Sequence, residues 1–210
     1  MFITFEGPDG SGKTSQVLPL AEFLRQAGYN VLATREPGGT AIGDRVRAVL
    51  LDLHNTEMHT RAEILLFQAS RAQLVEQVIR PHLAKKGIVL CDRYADSTLA
   101  YQGYGYQTDL EQLRAIVRFA TGNLTPDLTL LFDLDVEVGL RRRVGGGEWN
   151  RLDAHERAFH ERVRQGYHKL AEADPQRWVM IDAAQPPDAV QARVREIVLQ
   201  RLRETPSSSR

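Results

Sequence analysis

Phe2-Ile3-Thr4-Phe5-Glu6-Gly7-Pro8-Asp9-Gly10-Ser11-Gly12-Lys13-Thr14 is an apolar strand run that breaks into a glycine loop and re-enters helix at a lysine. It matches G-x-x-x-x-G-K-[ST] at every fixed position, with the strand before and the helix after that the pattern requires. In the loop Gly7, Pro8, Asp9, Gly10, Ser11, Gly12, the three glycines free the backbone to turn its N–H groups toward one point. There they and the helix N-terminus favour a polyphosphate. Lys13 then reaches the outer phosphates as a point charge, and the Thr14 hydroxyl is placed to ligate a magnesium ion bridging them. The bland alternative is a plain strand-turn-helix connection with a surface lysine, which leaves the glycine spacing without a reason.

The chain has 210 residues, 42% of them hydrophobic, which is enough for one α/β core. We expect a single domain over residues 1–204 and a disordered Ser-rich tail at 205–210. Formal net charge is zero, so no global field attracts nucleic acid or a membrane, and any anion site must be local. Cys91 is the only cysteine, which excludes an internal disulfide and a thiolate zinc cluster and makes a reducing cytoplasm the simplest compartment. No basic, apolar leader precedes Glu6 and no run is long enough to span a bilayer, so a soluble, untargeted protein is expected. None of the six histidines pairs as H-x-x-x-H with a glutamate between, which argues against a zinc hydrolase.

Outward from the loop, Val17, Leu18, Leu20, Ala21, Phe23 and Leu24 recur at helical spacing up to Gly28, and Tyr29 to Thr34 reads as a second strand. Arg35-Glu36-Pro37-Gly38-Gly39-Thr40 follows at that strand's tip. It is either an ordinary turn or a ligand loop, since open α/β sheets bind ligands at strand C-termini. A helix runs from about Ile42 to Asp52. A long helix is expected from Thr60 to Lys86, with Thr60 as N-cap, Glu63 closing a capping box and Pro81 kinking its last turns. Phe67 and Arg71 share a face on it; they either hold a flat ring together or serve as core packing and a solvated charge.

Ile88-Val89-Leu90-Cys91 reads as a central parallel strand ending in Asp92-Arg93-Tyr94. Asp92 is a candidate magnesium carboxylate and Arg93 a phosphate ligand, with a local salt bridge as the alternative. Ser97, Thr98, Tyr101 and Gln102 follow on the same edge and suit a base and a sugar. Gly103 to Tyr106 looks like a mobile loop, and Thr108 with Glu111 a capping box for a helix to Thr121. Pro126 to Leu134 is a fourth strand. The helix capped by Asp135 runs into Arg141-Arg142-Arg143-Val144-Gly145-Gly146-Gly147, where the glycines should break it into a flexible lid at about 141–153, or a solvated basic loop. Asp153 and Glu156 start a helix carrying Phe159, Val163, Tyr167 and Leu170, then come a fifth strand from Arg177 to Asp182 and a last helix with Val190, Val194, Ile197 and Leu202.

Five alternations of strand and helix argue a parallel sheet covered on both faces, a P-loop three-layer sandwich. A kinase for a small acceptor and a nucleotide-dependent switch both fit. The switch would need a guanine reader of N-K-x-D type and a D-x-x-G step after the second acidic strand, and neither is found there. The phosphate loop, Arg35 to Thr40, Asp92-Arg93-Tyr94 with Ser97-Thr98 and Ala100-Tyr101-Gln102-Gly103, and Pro126 to Leu130 together resemble bacterial thymidylate kinases over nearly the whole chain. That resemblance implies dTMP phosphorylation by MgATP, a five-stranded P-loop kinase fold and a homodimer. It further implies that Asp9 meets the 3′-hydroxyl, Phe67 stacks on thymine, Arg71 bonds its carbonyl, Ser97 or Thr98 meets the base, and Tyr101 meets the deoxyribose. Glu36, Pro37 and Gln102 complete the dTMP contacts, Arg47 and Arg93 hold its phosphate, and the Glu36–Pro37 bond is cis. A kinase for another deoxynucleotide or a deoxynucleoside is the nearest competing reading.

A monophosphate acceptor has its second pKa at about 6, so the nucleophile is already ionised and no general base is needed. Catalysis then falls to positioning and charge neutralisation by Lys13, Mg²⁺, Arg93 and the lid. Gly10 stands where one subgroup of the family carries a catalytic arginine, so this chain resembles the subgroup that takes it from the lid. Arg151, with Arg143 as alternative, is expected there, and Arg142 beside adenine or the triphosphate. An Arg151→Ala variant is expected to lose roughly a hundredfold in kcat.

Overall fold

The computed structural model describes residues 1–146, 152 and 155–204. Five strands, β1 (Phe2–Glu6), β2 (Val31–Arg35), β3 (Ile88–Asp92), β4 (Leu128–Asp133) and β5 (Trp178–Asp182), form one parallel sheet in the order β2-β3-β1-β4-β5. The continuous apolar runs are the central strands, buried throughout in β1 and β3, whereas β2 and β5 at the edges are only partly covered. That difference is the one expected of strands enclosed on two faces rather than one.

Alternation along β1 divides the core. Ile3 and Phe5 point to one face, against Val17, Leu20 and Leu24 of α1 (Lys13–Gln26) and Val190, Val194 and Val198 of α9 (Pro187–Glu204). Phe2, Thr4 and Glu6 point to the other, by the same parity. That face is covered by α3 (Thr60–Leu74), α5 (Ala95–Thr98), α6 (Leu110–Thr121) and α8 (Arg157–Ala173). Phe2 packs there edge-on to Tyr94, Thr4 Oγ1 meets Thr129 Oγ1 at 2.9 Å, and the Glu6 carboxylate is carried into the interior beneath the loop. Register sets Phe5 beside Asp92 and Arg35 beside Asp92 on its other side, so the three loops after β1, β3 and β2 emerge together.

Several local expectations change. The long helix is divided by a π-helical turn, Val75–Ile79, before α4 (Arg80–Ala84), so the disturbance precedes Pro81. Proline lacks the N–H that would bond four residues back, at Gln77, and its ring crowds that carbonyl, so the ladder slips inside this turn. The N-cap of α3 is His59, whose Nδ1 accepts from Arg61 N at 3.1 Å, not Thr60. For α6 it is Asp109, not Thr108, because one carboxylate oxygen reaches both Glu111 N and Gln112 N. Gly103 to Tyr106 is no loop: Leu99–Gly105 is π-helical and buried, with side chains of Leu110 and Phe159 filling the space a Cβ on Gly103 or Gly105 would need. The helix α7 (Val136–Gly146), capped by Asp135 as expected, runs on through Gly145 and Gly146 instead of breaking. Arg151, Asp153 and the 205–210 tail lie outside the described residues. Between α1 and α3, α2 (Ala41–Leu51) begins at Thr40, whose Oγ1 accepts from Gly43 N at 2.9 Å.

Candidate active site

The loop after β1 needs its glycines. Gly10 has φ +76° and Gly12 φ +80°, left-handed values at which a side chain is strained. A Cβ on Gly10 would land on the Gly139 carbonyl of α7, and one on Gly139 would stand 2.6 Å from the Asp9 carbonyl, so loop and helix touch backbone to backbone. Lys13, the first residue of α1, is buried, and its Nζ donates to Pro8 O at 3.3 Å across the loop. Burial and the Arg93 charge bring its pKa down to about 8 against the pull of Asp9, Asp92 and Glu6. Thr14 Oγ1 donates to Asp92 Oδ2 at 2.5 Å, and Asp92 Oδ1 is buried without a hydrogen-bond partner. A hydroxyl and an unspent carboxylate oxygen side by side fit magnesium carried in by a polyphosphate, which needs one or two hard protein oxygens. Among the described residues no group of three His, Cys, Asp or Glu forms a metal cage of its own.

Arg93, at the tip of β3 with φ +65°, is the hub. Its Nη2 donates to Asp9 Oδ1 at 2.6 Å and to Tyr101 OH at 3.0 Å, and its Nη1 to Gly7 O, Ser97 Oγ and Tyr167 OH at 3.1–3.2 Å. Tyr101 OH donates to Asp9 Oδ2 at 2.6 Å, closing a triangle of carboxylate, guanidinium and phenol. Burial opposes ionisation of Asp9, but Arg93, Lys13, the Tyr101 hydrogen bond and Arg143 more than offset it and hold the carboxyl well below its usual range. Beneath the triangle, Glu6 accepts from Tyr94 N (2.8 Å), Ser97 Oγ (2.6 Å) and Tyr167 OH (2.9 Å). Its burial and the charge of Asp96 raise its pKa to about 7, only partly countered by Ser97, Arg93 and Tyr167.

Arg71 is not solvated but 1% exposed. It pairs with Glu36 Oε2 at 2.6 Å and donates to Gln68 Oε1, Thr98 Oγ1 and Tyr94 O at 2.7–3.0 Å. Thr98 Oγ1 accepts from Gln68 and Arg71 and keeps its own proton, whereas Ser97 is committed to Glu6 and Arg93. The Glu36–Pro37 bond is cis, and Arg47 Nη1 donates to Pro37 O at 3.0 Å. Burial raises the Glu36 carboxyl despite Arg71, and its Oε1 has no partner.

One cavity of about 860 Å³ joins these groups. Its phosphate-loop end is lined by Asp9, Gly10, Gly12, Lys13, Thr14 and Asp92, with Arg142 and Arg143 from α7, and its far end by Glu36, Pro37, Arg47, Phe67, Arg71, Arg93, Ser97, Thr98, Tyr101 and Gln102. Gly7, Pro8 and Ser11, expected at the same site, are not among the lining residues, and Arg142 Nη1 donates to Ala183 O at 3.1 Å. The wall also holds Arg35, at the tip of β2, and Ser15, Leu51, Leu152 and Pro187, for which the sequence suggested no site role. It missed Glu6 and Tyr167 as well; period-2 counting from Phe2 would have found the first, and nothing local marks the second.

A family model described as thymidylate kinase matches residues 5–194. The chain is 54% identical to a thymidylate kinase of Thermomicrobium roseum, covering 98% of this chain and 99% of that one. It is 51% identical to that of Roseiflexus sp. (strain RS-1), covering 94% and 93%. A crystal structure of thymidylate kinase from Ehrlichia chaffeensis superposes with a TM-score of 0.76 at 35% identity, covering 94% of this chain and 98% of that one.

Proposed function

Because the chain belongs to the thymidylate kinase family, we propose that this cavity carries MgATP at the phosphate-loop end and dTMP at the Phe67 end, giving dTDP and ADP. The observation that carries this reading is the Asp9–Arg93–Tyr101 triangle, which stands between the two ends. Lys13 and the loop hold the β- and γ-phosphates; Arg93, with Arg47, holds the acceptor phosphate in line with them. Asp9 and Tyr101 orient the sugar, and Phe67 stacks on thymine while Thr98 and Gln102 address its edge. Arg71 sets the floor of that pocket. Thr14 and Asp92 would hold a magnesium ion carried in with the polyphosphate, and that ion would supply charge neutralisation there. Arg151, or Arg143 as the alternative, adds charge to the transferring group; Arg143 lines the cavity wall and helps hold the Asp9 carboxyl low, which supports its candidacy.

Pairing with a second copy is part of the same reading. Leu65 on α3 is 58% exposed and Phe119 on α6 is 90% exposed, and these two helices pack together. No described helix is long and apolar enough to cross a membrane, and substrates of this kind, with Cys91 buried and free, fit a cytoplasmic enzyme. The test is coupled ADP release with dTMP, dUMP, dCMP and thymidine as acceptors. Strong preference for dTMP with thymidine inert is expected, because the arginines need a phosphate to grip. Equal rates with all four, or phosphorylation of thymidine alone, overturns the reading.

A further inference from the structure

Gln102 lies in the π-helical segment Leu99–Gly105, 2% exposed, with one side on the cavity. Packing of Gly103 on Leu110 and of Gly105 on Phe159 fixes its backbone, so only the amide can choose between orientations. Gln102 Nε2 donates to Glu63 Oε1 at 2.7 Å. Glu63 is 1% exposed and stands one helical turn before Phe67 on α3. Its other oxygen accepts from Tyr106 OH at 3.3 Å, and that hydroxyl shares a 2.8 Å hydrogen bond with His155 Nε2. The Tyr106, His155 and Phe159 rings pack against one another, with centroids 4.2–5.2 Å apart, so the carboxylate is held from behind.

A carboxylate offers acceptors only, so the nitrogen of the Gln102 amide must face Glu63 and the oxygen must face away. No described residue hydrogen-bonds that oxygen. We propose that Glu63 is a positioning residue for base selection: it holds the Gln102 carbonyl toward the base pocket, so the site takes a base whose ring nitrogen carries a proton. Thymine and uracil present N3–H there. Cytosine presents an unprotonated N3, and two acceptors would face each other in a dry pocket, the arrangement by which buried polar sites discriminate most strongly. The inference rests on dTMP occupying the Phe67 end.

The experiment is steady-state kinetics of Glu63→Gln with dTMP and dCMP. Glutamine keeps the shape but can donate as well as accept, so Gln102 is free to flip. KM for dTMP should rise about tenfold with kcat changed less than threefold, and the dTMP-over-dCMP ratio of kcat/KM should fall at least tenfold. In a Gln102→Ala background the same substitution should leave the ratio unmoved. A ratio kept by Glu63→Gln, or an equal fall in the Gln102→Ala background, overturns the proposal. If Glu63→Gln does not fold, Glu63→Asp, too short to reach the amide, carries the same expectation and the same refutation. A wild-type enzyme that ignores dTMP would instead fail the functional reading itself.

Discussion

Glu6→Gln tests the buried carboxylate beneath Arg93. In the native protein the Glu6 carboxyl is raised from 4.5 to about 7, chiefly by burial and then by Asp96. A raised acid pKa means that the folded state binds the proton more tightly than the unfolded chain. Stability therefore falls as pH rises from about 4.5 to about 7, and is flat above. At 1.36 kcal/mol per unit the whole effect is about 3 kcal/mol, most of which falls between pH 5 and pH 8. Asp9 and Asp133, whose carboxyls are lowered, titrate below this window and cancel in the comparison. The assay is urea denaturation of wild type and Glu6→Gln at half-unit steps from pH 5 to 8. The wild-type stability minus that of the variant should drop by roughly 2–3 kcal/mol across the range, whatever its absolute value. A difference independent of pH would show that the hydrogen bonds from Tyr94, Ser97 and Tyr167 outweigh burial, and the reasoning would fail.

Gly10→Ala should cost about 2 kcal/mol or more of stability and raise the KM for ATP, because the new methyl at φ +76° meets the Gly139 carbonyl; normal melting and normal ATP kinetics would show that α7 yields freely. Phe119→Asp should convert a dimer to a monomer by size-exclusion with light scattering; an unchanged mass would move the pairing surface elsewhere.

The parallel sheet and the phosphate loop were legible because central strands carry unbroken apolar runs and the glycine spacing has one geometric purpose. Asp92 and Arg93 were legible by position, as the polar end of such a run. What escaped depends on contacts distant in sequence. Tyr167 sits on an ordinary apolar stripe of α8, and only the fold brings its hydroxyl to Glu6 and Arg93. For Arg71 the helical spacing left a ring-holding group and a solvated charge both open, and only the fold shows it enclosed by Glu36, Gln68, Thr98 and Tyr94. Gly103 and Gly105 carry the composition of a loop, yet they allow close approach of Leu110 and Phe159 to a buried π-helix. The choice between Ser97 and Thr98 turned on which hydroxyl other groups had already claimed.

The backbone contact of Gly10 with Gly139, where a Cβ on either would strike the other segment's main chain, also sets an order of events for any descendant of this sequence. A long basic side chain cannot enter the phosphate loop at position 10 while α7 keeps its present seat. The helix would first have to withdraw, through changes at Gly139 or its neighbours, so two positions 129 residues apart in the chain must change together.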